Sequence, residues 1–276
     1  MAAAWAWVTC AGVGPAQEAG AESYRIRLLP ASTLFKEFVA GVKPARMGGE
    51  FLTVDGGLTG DATMDGTLGA RVGLVRFGQA GPDGDGWQLD VAAAAFPRLN
   101  LSSNWDVDAT DFRFGVPLSY RRGGTAVSVG YDHISTHVGD EFLTKHADFR
   151  RPNYSRDQLL VGVRRAVTDD WQVYGEAGYA FVRDGGAEPW VFQAGTEFFR
   201  PLSPAAGGPV AAANVQLREE FDWGGRFKAV AGWQWRNPET GRLFRVAGVA
   251  DAGKSRYYEF GGEDATSAGA GFFYDF

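Results

Sequence analysis

From about residue 47 onward the chain repeats one phrase: ten to fourteen residues in which apolar side chains alternate with polar or small ones, closed by a cluster of Gly, Pro, Asp or Asn. Segments 66–78 (Leu68, Ala70, Val72, Leu74), 86–97 (Trp87, Leu89, Val91, Ala93) and 107–120 (Phe112, Phe114, Val116, Leu118, Tyr120) show it most plainly. The pattern continues through 124–135, 156–167, 171–183, 189–200, 209–222, 225–236, 241–250 and 266–276, with a weaker strand over 47–56. A period of two predicts strands with one apolar face. The opposite face carries charges of both signs, among them Arg71, Asp90, Arg113, Asp132, Glu176, Glu197, Arg226 and Lys228.

Alternation suits a soluble sandwich as well as a membrane barrel, so strand length and strand ends must discriminate. These segments are longer than the soluble norm of about five or six residues and match a tilted crossing of a hydrocarbon layer. Trp171 and Phe181 at the ends of one segment, and Phe227 and Trp235 of another, resemble two interfacial aromatic belts. The last segment places Ala270, Phe272, Tyr274 and Phe276 on one face up to the final residue, a poor edge for a soluble sheet but a suitable closing strand for a barrel. Counting back from a periplasmic Phe276, the long connections 57–65, 98–106, 136–155 and 251–265 fall outside and most short ones at the periplasm. The expected fold is all-β: a single antiparallel up-and-down transmembrane β-barrel of about twelve strands over 47–276, preceded by a periplasmic N-terminal segment at 23–46.

Composition is consistent with this. Aromatic residues make up 14% and there are 39 glycines, whereas a charged content of 22% and a mean hydropathy of −0.19 are ordinary, as a polar lumen would dilute an apolar exterior. No apolar run beyond residue 16 reaches the roughly 18 residues a membrane helix needs. A net charge of −6 with no basic stripe argues against a nucleic-acid partner. Residues 1–22, apolar and then small, read as a signal peptide that would carry away Cys10, the only cysteine. The implied address is the outer membrane of a Gram-negative bacterium, with outer-membrane lipid and lipopolysaccharide as surroundings.

Two internal segments carry a family resemblance. Tyr24 to Arg46, YRIRLLPASTLFKEFVAGVKPAR, resembles the opening of the outer-membrane family known as domain of unknown function 1207. His133 to Phe142, HISTHVGDEF, with Asn153-Tyr154-Ser155-Arg156-Asp157 and Val173-Tyr174-Gly175-Glu176, is similar to its central signature. The resemblance implies a bacterial outer-membrane barrel without an established activity, structural or ligand-binding in role. Gly271, Tyr274 and Phe276 resemble the signal read by the outer-membrane assembly machinery, although Gly269 stands where that signal prefers a polar residue.

Chemistry is concentrated in one place. His133, His137 and His146 are the only histidines, and Ser135, Asp140 and Glu141 lie among them. Strand 124–135 is read as running outward, which puts His133 and Ser135 on its lipid-facing side at the extracellular end. A His-x-Ser pair there is similar to the motif of the lipid A 3-O-deacylases, which implies His133 as general base, Ser135 as nucleophile and Glu141 or Asp140 as orienting acid of a lipid-modifying hydrolase. Two other readings stand beside it. The loop 136–155 is simply anchored by these residues, with Asp140 and Glu141 bonded to Arg150, Arg151 or Arg156, or His137, Asp140, Glu141 and His146 hold a divalent cation. A narrow porin is the remaining functional alternative. No other cofactor is expected. Ser32 to Val39 reads as a short capped amphipathic helix or as a lead packed into the lumen.

Overall fold

In the computed structural model, residues 24–276 are described; the expected signal and Cys10 lie outside them. The barrel strands are β2 (Met47–Asp55), β3 (Ala62–Gly78), β4 (Gly86–Asn100), β5 (Asp106–Arg122), β6 (Thr125–Val138) and β7 (Ser155–Ala166). They continue with β8 (Trp171–Asp184), β9 (Trp190–Phe199), β10 (Gly208–Arg218), β11 (Gly225–Arg236), β12 (Leu243–Lys254) and β13 (Asp264–Asp275). Each pairs antiparallel with its sequence neighbour, and β13 pairs with β2, closing a twelve-strand barrel. A short strand β1 (Arg25–Leu28) extends the edge of β3 beyond the reach of β2, pairing Arg25 with Gly78 and Leu28 with Val75.

The apolar faces point outward, as the alternation predicts: Leu68, Phe114, Val129, Val161, Phe227 and Phe272 are all exposed. Their polar neighbours are buried, Arg71, Asp90, Asp132, Glu197 and Lys228 among them. A parity change in β3 was not predicted. The β3–β4 register slips between Gly73 and Val75, so Leu74 and Phe77 both face outward while Arg76 turns in and is 2% exposed.

The closing seam depends on a glycine. A Cβ on Gly269 would lie 1.9 Å from the Phe51 carbonyl oxygen of β2, so β13 and β2 can approach only where this position has no side chain. Gly269 is therefore a closure residue.

Residues 32–46 lie inside the barrel instead of below it. Leu34, Phe35, Phe38, Ala40 and Val42 are buried, and Phe38 stacks on the inward Tyr174 with ring centroids 3.8 Å apart. Ion pairs fix the segment: Lys43 to Asp111 at 2.8 Å, Glu37 to Arg71 and Arg113 at 3.6 and 3.4 Å, and Arg46 to Asp275 at 3.2 Å. Ser32 to Val39 forms no helix, because its apolar side chains serve opposite walls of a lumen rather than one helix face. At the long-loop end, Phe142 of the one-and-a-half-turn helix α1 (Asp140–Lys145) packs with Phe149, Tyr257 and Phe260, and these loops fold over the mouth.

Two outcomes follow from this packing. Gly269→Ala is expected to cost about 3 kcal/mol or more through backbone overlap at the seam, whereas Gly248→Ala, whose Cβ would meet nothing closer than 3.7 Å, is tolerated. Heat-modifiable electrophoretic mobility of the two variants measures the difference. With the lumen occupied, the protein is expected to give no steady ion conductance in planar bilayers, and deletion of residues 24–45 to create it.

Candidate functional site

On β6 the outward positions at the long-loop end are Tyr131, His133, Ser135 and His137 in steps of two, as strand geometry requires. Register brings β7 to meet them: His133 is directly opposite Asp157, and Ser135 is opposite Ser155. On the other flank, Phe114 faces His133 and Phe112 faces Ser135.

A compact polar group results on a wall that is otherwise apolar. His133 Nδ1 lies 2.7 Å from Asp157 Oδ1, and the Tyr131 hydroxyl donates to the same oxygen at 2.5 Å. The His133 and Asp157 side chains remain 35% and 25% exposed on the membrane face. A carboxylate facing lipid is costly at the bilayer midplane and tolerable near an interface, and Asp157 is the third residue of β7 from the long-loop end. The two donors on Asp157 also fix the imidazole. With Nδ1–H donating to the carboxylate, Nε2 is left as the acceptor. Ser135 follows on the same face, its Cα about 7 Å from that of His133. No hydrogen bond joins their side chains here, so proton transfer requires the serine or the imidazole to turn.

Beside this group the wall is hollowed. Ala70, Ala93 and Ala95 floor a shallow apolar groove bounded by Leu68, Phe112 and Phe114, and His133 lines its upper edge.

The remaining predicted residues do not converge. Asp140 and Glu141 are exposed in the first turn of α1. The carboxylate that the structure sets against His133 is Asp157, not Glu141 or Asp140. His137 lies edge-on to Phe112 with 3.4 Å to Arg151 Nη2, and His146 stacks on Phe142 at 4.1 Å. Among the described residues, no three His, Cys, Asp or Glu side chains are grouped so as to hold a metal ion, so the cation reading of His137, Asp140, Glu141 and His146 has no geometric support. The loop is anchored by a residue the sequence did not single out. Glu259, 2% exposed, accepts from Thr136 Oγ1 at 2.8 Å, Arg151 Nε at 2.9 Å and the Asn153 amide at 3.2 Å. Asp157 was likewise missed, though it is the one carboxylate in the outward row Asp157, Leu159, Val161, Val163.

Comparison with known proteins gives the fold a context. The family model described as "Protein of unknown function (DUF1207)" matches residues 15–276. No curated protein matches in sequence. Among solved structures, outer membrane phospholipase A from Escherichia coli is 15% identical with a TM-score of 0.54, over 83% of this chain and 89% of that one. An Escherichia coli active-site mutant of the same phospholipase is 15% identical with a TM-score of 0.55, over 87% and 92%. The Salmonella typhi outer membrane phospholipase dimer with bound calcium is 14% identical with a TM-score of 0.54, over 83% and 90%. These likenesses are of fold, and a twelve-strand barrel of this kind is an outer-membrane protein.

The Asp157 contact makes a spectroscopic expectation. In detergent-solubilised protein, ¹⁵N–¹H correlation of the histidine side chains should show His133 as the Nδ1–H tautomer, and Asp157→Ala should return it to the mixed tautomers of a free imidazole. Unchanged His133 resonances in Asp157→Ala would mean that the ring is held by something else.

Proposed function

The chain belongs to the DUF1207 family, and on that premise we propose that it is an outer-membrane lipid acyl hydrolase with Ser135 as nucleophile, His133 as general base and Asp157 as the residue that orients the base. The observation that carries this reading is the 2.7 Å contact between His133 Nδ1 and Asp157 Oδ1 on the membrane-facing wall, with a serine next on the same face. Acid, imidazole and hydroxyl occur in the order that nucleophilic acyl transfer requires.

The reaction follows from that order. His133 Nε2 takes the Ser135 proton as Oγ attacks the ester carbonyl of an acyl chain. The imidazolium, stabilised by Asp157, then gives the proton to the departing lipid alkoxide, leaving an acyl-serine. Water, deprotonated by His133, attacks that ester and releases a fatty acid, restoring Ser135. Tyr131 holds Asp157 from the other side and so positions the carboxylate. The site's height near the outer interface suits an ester, which lies where headgroup meets chain, and the Ala70–Ala93–Ala95 groove offers the chain a place to lie.

Support of a coarser kind comes from the neighbours in fold, which are outer membrane phospholipases. The substrate class is an ester-linked acyl chain of an outer-membrane lipid, either phospholipid or lipid A. The filled lumen favours this reading over a porin.

The test is acyl release from phospholipid and from lipid A in mixed micelles. Wild type is expected to release fatty acid from at least one, and Ser135→Ala and His133→Ala each to lower kcat/KM by about a thousandfold or more, with Asp157→Ala losing less. No release by the folded wild type from either lipid, or undiminished release by Ser135→Ala, would remove the proposal.

A further inference from the structure

The opposite end of the barrel holds a second polar concentration, separate from the outer wall. Residues 34–39 form the floor of a cavity of about 250 Å³, enclosed by the inner ends of the strands at the short-turn mouth. Outer-membrane barrels turn that mouth to the periplasm. Lys36, Arg164, Arg236 and Arg245 line it, together with Gln172 and the apolar Leu34, Val39 and Val210.

An inventory of donors and acceptors there does not balance. Each acid that faces the cavity from within is already bonded. Glu197 accepts from the Val39 amide at 2.7 Å, from Gln172 at 2.8 Å and from Arg164. Asp83 is taken by Arg121 at 3.0 Å and Arg236 at 2.7 Å, Asp170 by Arg200 at 2.6 Å, and Glu37 by Arg71, Arg113 and the Ala45 amide. Asp169 stands exposed on the rim. Three buried donors are left over on cavity-lining residues: Lys36 Nζ, Arg164 Nε and Arg245 Nη1 have no hydrogen-bond partner among the described residues. Arg164 and Arg245 are 5% and 1% exposed, so neither reaches bulk water by extending. Arg164 and Arg245 pair through their other nitrogens with Glu197 and Asp275, whereas Lys36 has no ionic partner; buried N–H groups without acceptors are expensive, and three around one cavity make a site shaped for negative charge.

We propose that this vestibule is a binding site for a small organic anion, a carboxylate or phosphate group on a short uncharged body, taken from the periplasmic side. Lys36, Arg164 and Arg245 receive the charged group, and Leu34, Val39 and Val210 lie against the body. The segment that fills the lumen thus also supplies the site's floor and its lysine. The site is independent of the outer-wall chemistry.

Lys36 makes binding depend on pH. Burial first, and the nearby Arg236 second, lower its pKa to about 7, with Arg121 on β5 acting the same way. Asp83 in the β3–β4 turn and Asp275 on β13 oppose them. An anion in the cavity favours the ammonium, so binding takes up a proton above that pH and affinity falls by about tenfold per pH unit.

The experiment is titration calorimetry of the folded, detergent-solubilised chain with inorganic phosphate and, separately, with hexanoate. At about pH 6 at least one should bind with Kd below roughly 1 mM, and at about pH 8 more weakly by up to about tenfold. Phosphate alone assigns a phosphoryl ligand, and hexanoate alone a carboxylate. Lys36→Met, which breaks no side-chain bond and so leaves the fold intact, should weaken binding and abolish its pH dependence. Lys36→Arg should keep the binding without the pH dependence, and Ser135→Ala should bind as wild type. Neither anion binding at about pH 6, or affinity unchanged in Lys36→Met, would overturn the proposal.

Discussion

Closure of the sheet between β13 and β2 is the constraint from which the rest follows. Inside a bilayer there is no water to satisfy a backbone N–H or C=O, so an open edge is excluded and the twelve strands must end where they began. Closure then fixes the side chains. With a period of two, one face of every strand belongs to lipid and the other to an interior of limited width, and the polar face has no solvent to escape into. The interior must be filled with charges that satisfy one another. Asp65 is held by both Arg98 and Arg256, and Arg256 reaches on to Glu50, which also pairs with Lys228. Such pairs add little net stability compared with an apolar core, but removing one partner strands the other, which makes each member hard to replace alone.

The interior packing decides where chemistry can happen. Residues 32–46 and the inward loops pack into the lumen, and a reacting group that must meet lipid belongs on the outer wall. Among the described residues, that wall departs from apolar alternation in a concerted way where Tyr131, His133 and Asp157 share bonds between adjacent strands. Cross-strand register does for this group what sequence proximity does not. His133 and Asp157 are separated by a sixteen-residue connection from β6 to β7, yet sit directly opposite.

That separation explains what the sequence disclosed and what it hid. Strand existence, parity and the outward placement of His133 and Ser135 were legible because alternation over ten or more residues is a strong local signal. The Gly73 bulge was not, since a one-residue slip leaves composition unchanged. Asp157 as the partner of His133 was hidden by a connection too long to count register across, so nearness in sequence drew attention to Asp140 and Glu141, which instead begin α1 and face solvent. Residues 24–46 lack a single period because their side chains touch several walls at once. Phe35 lies beside Arg71 of β3 while Phe38 stacks on Tyr174 of β8. Glu259 was equally invisible, as its partners Thr136, Arg151 and Asn153 come from more than a hundred residues away.

The interior segment is a fixed part of the barrel rather than a gate. Its charges are of both signs, and all but one meet complements on the barrel wall: Glu37 with Arg71 of β3 and Arg113 of β5, Lys43 with Asp111 of β5, Arg46 with Asp275 of β13. Withdrawing the segment would break all of these together, and a single broken buried pair already costs about 3–5 kcal/mol. Lys36 is the exception, the one charge of the segment that the barrel leaves without a partner. A segment so fully matched elsewhere has no structural need for an unmatched lysine at the mouth, and that contrast, more than the size of the cavity, marks the vestibule as a place where something else supplies the missing charge.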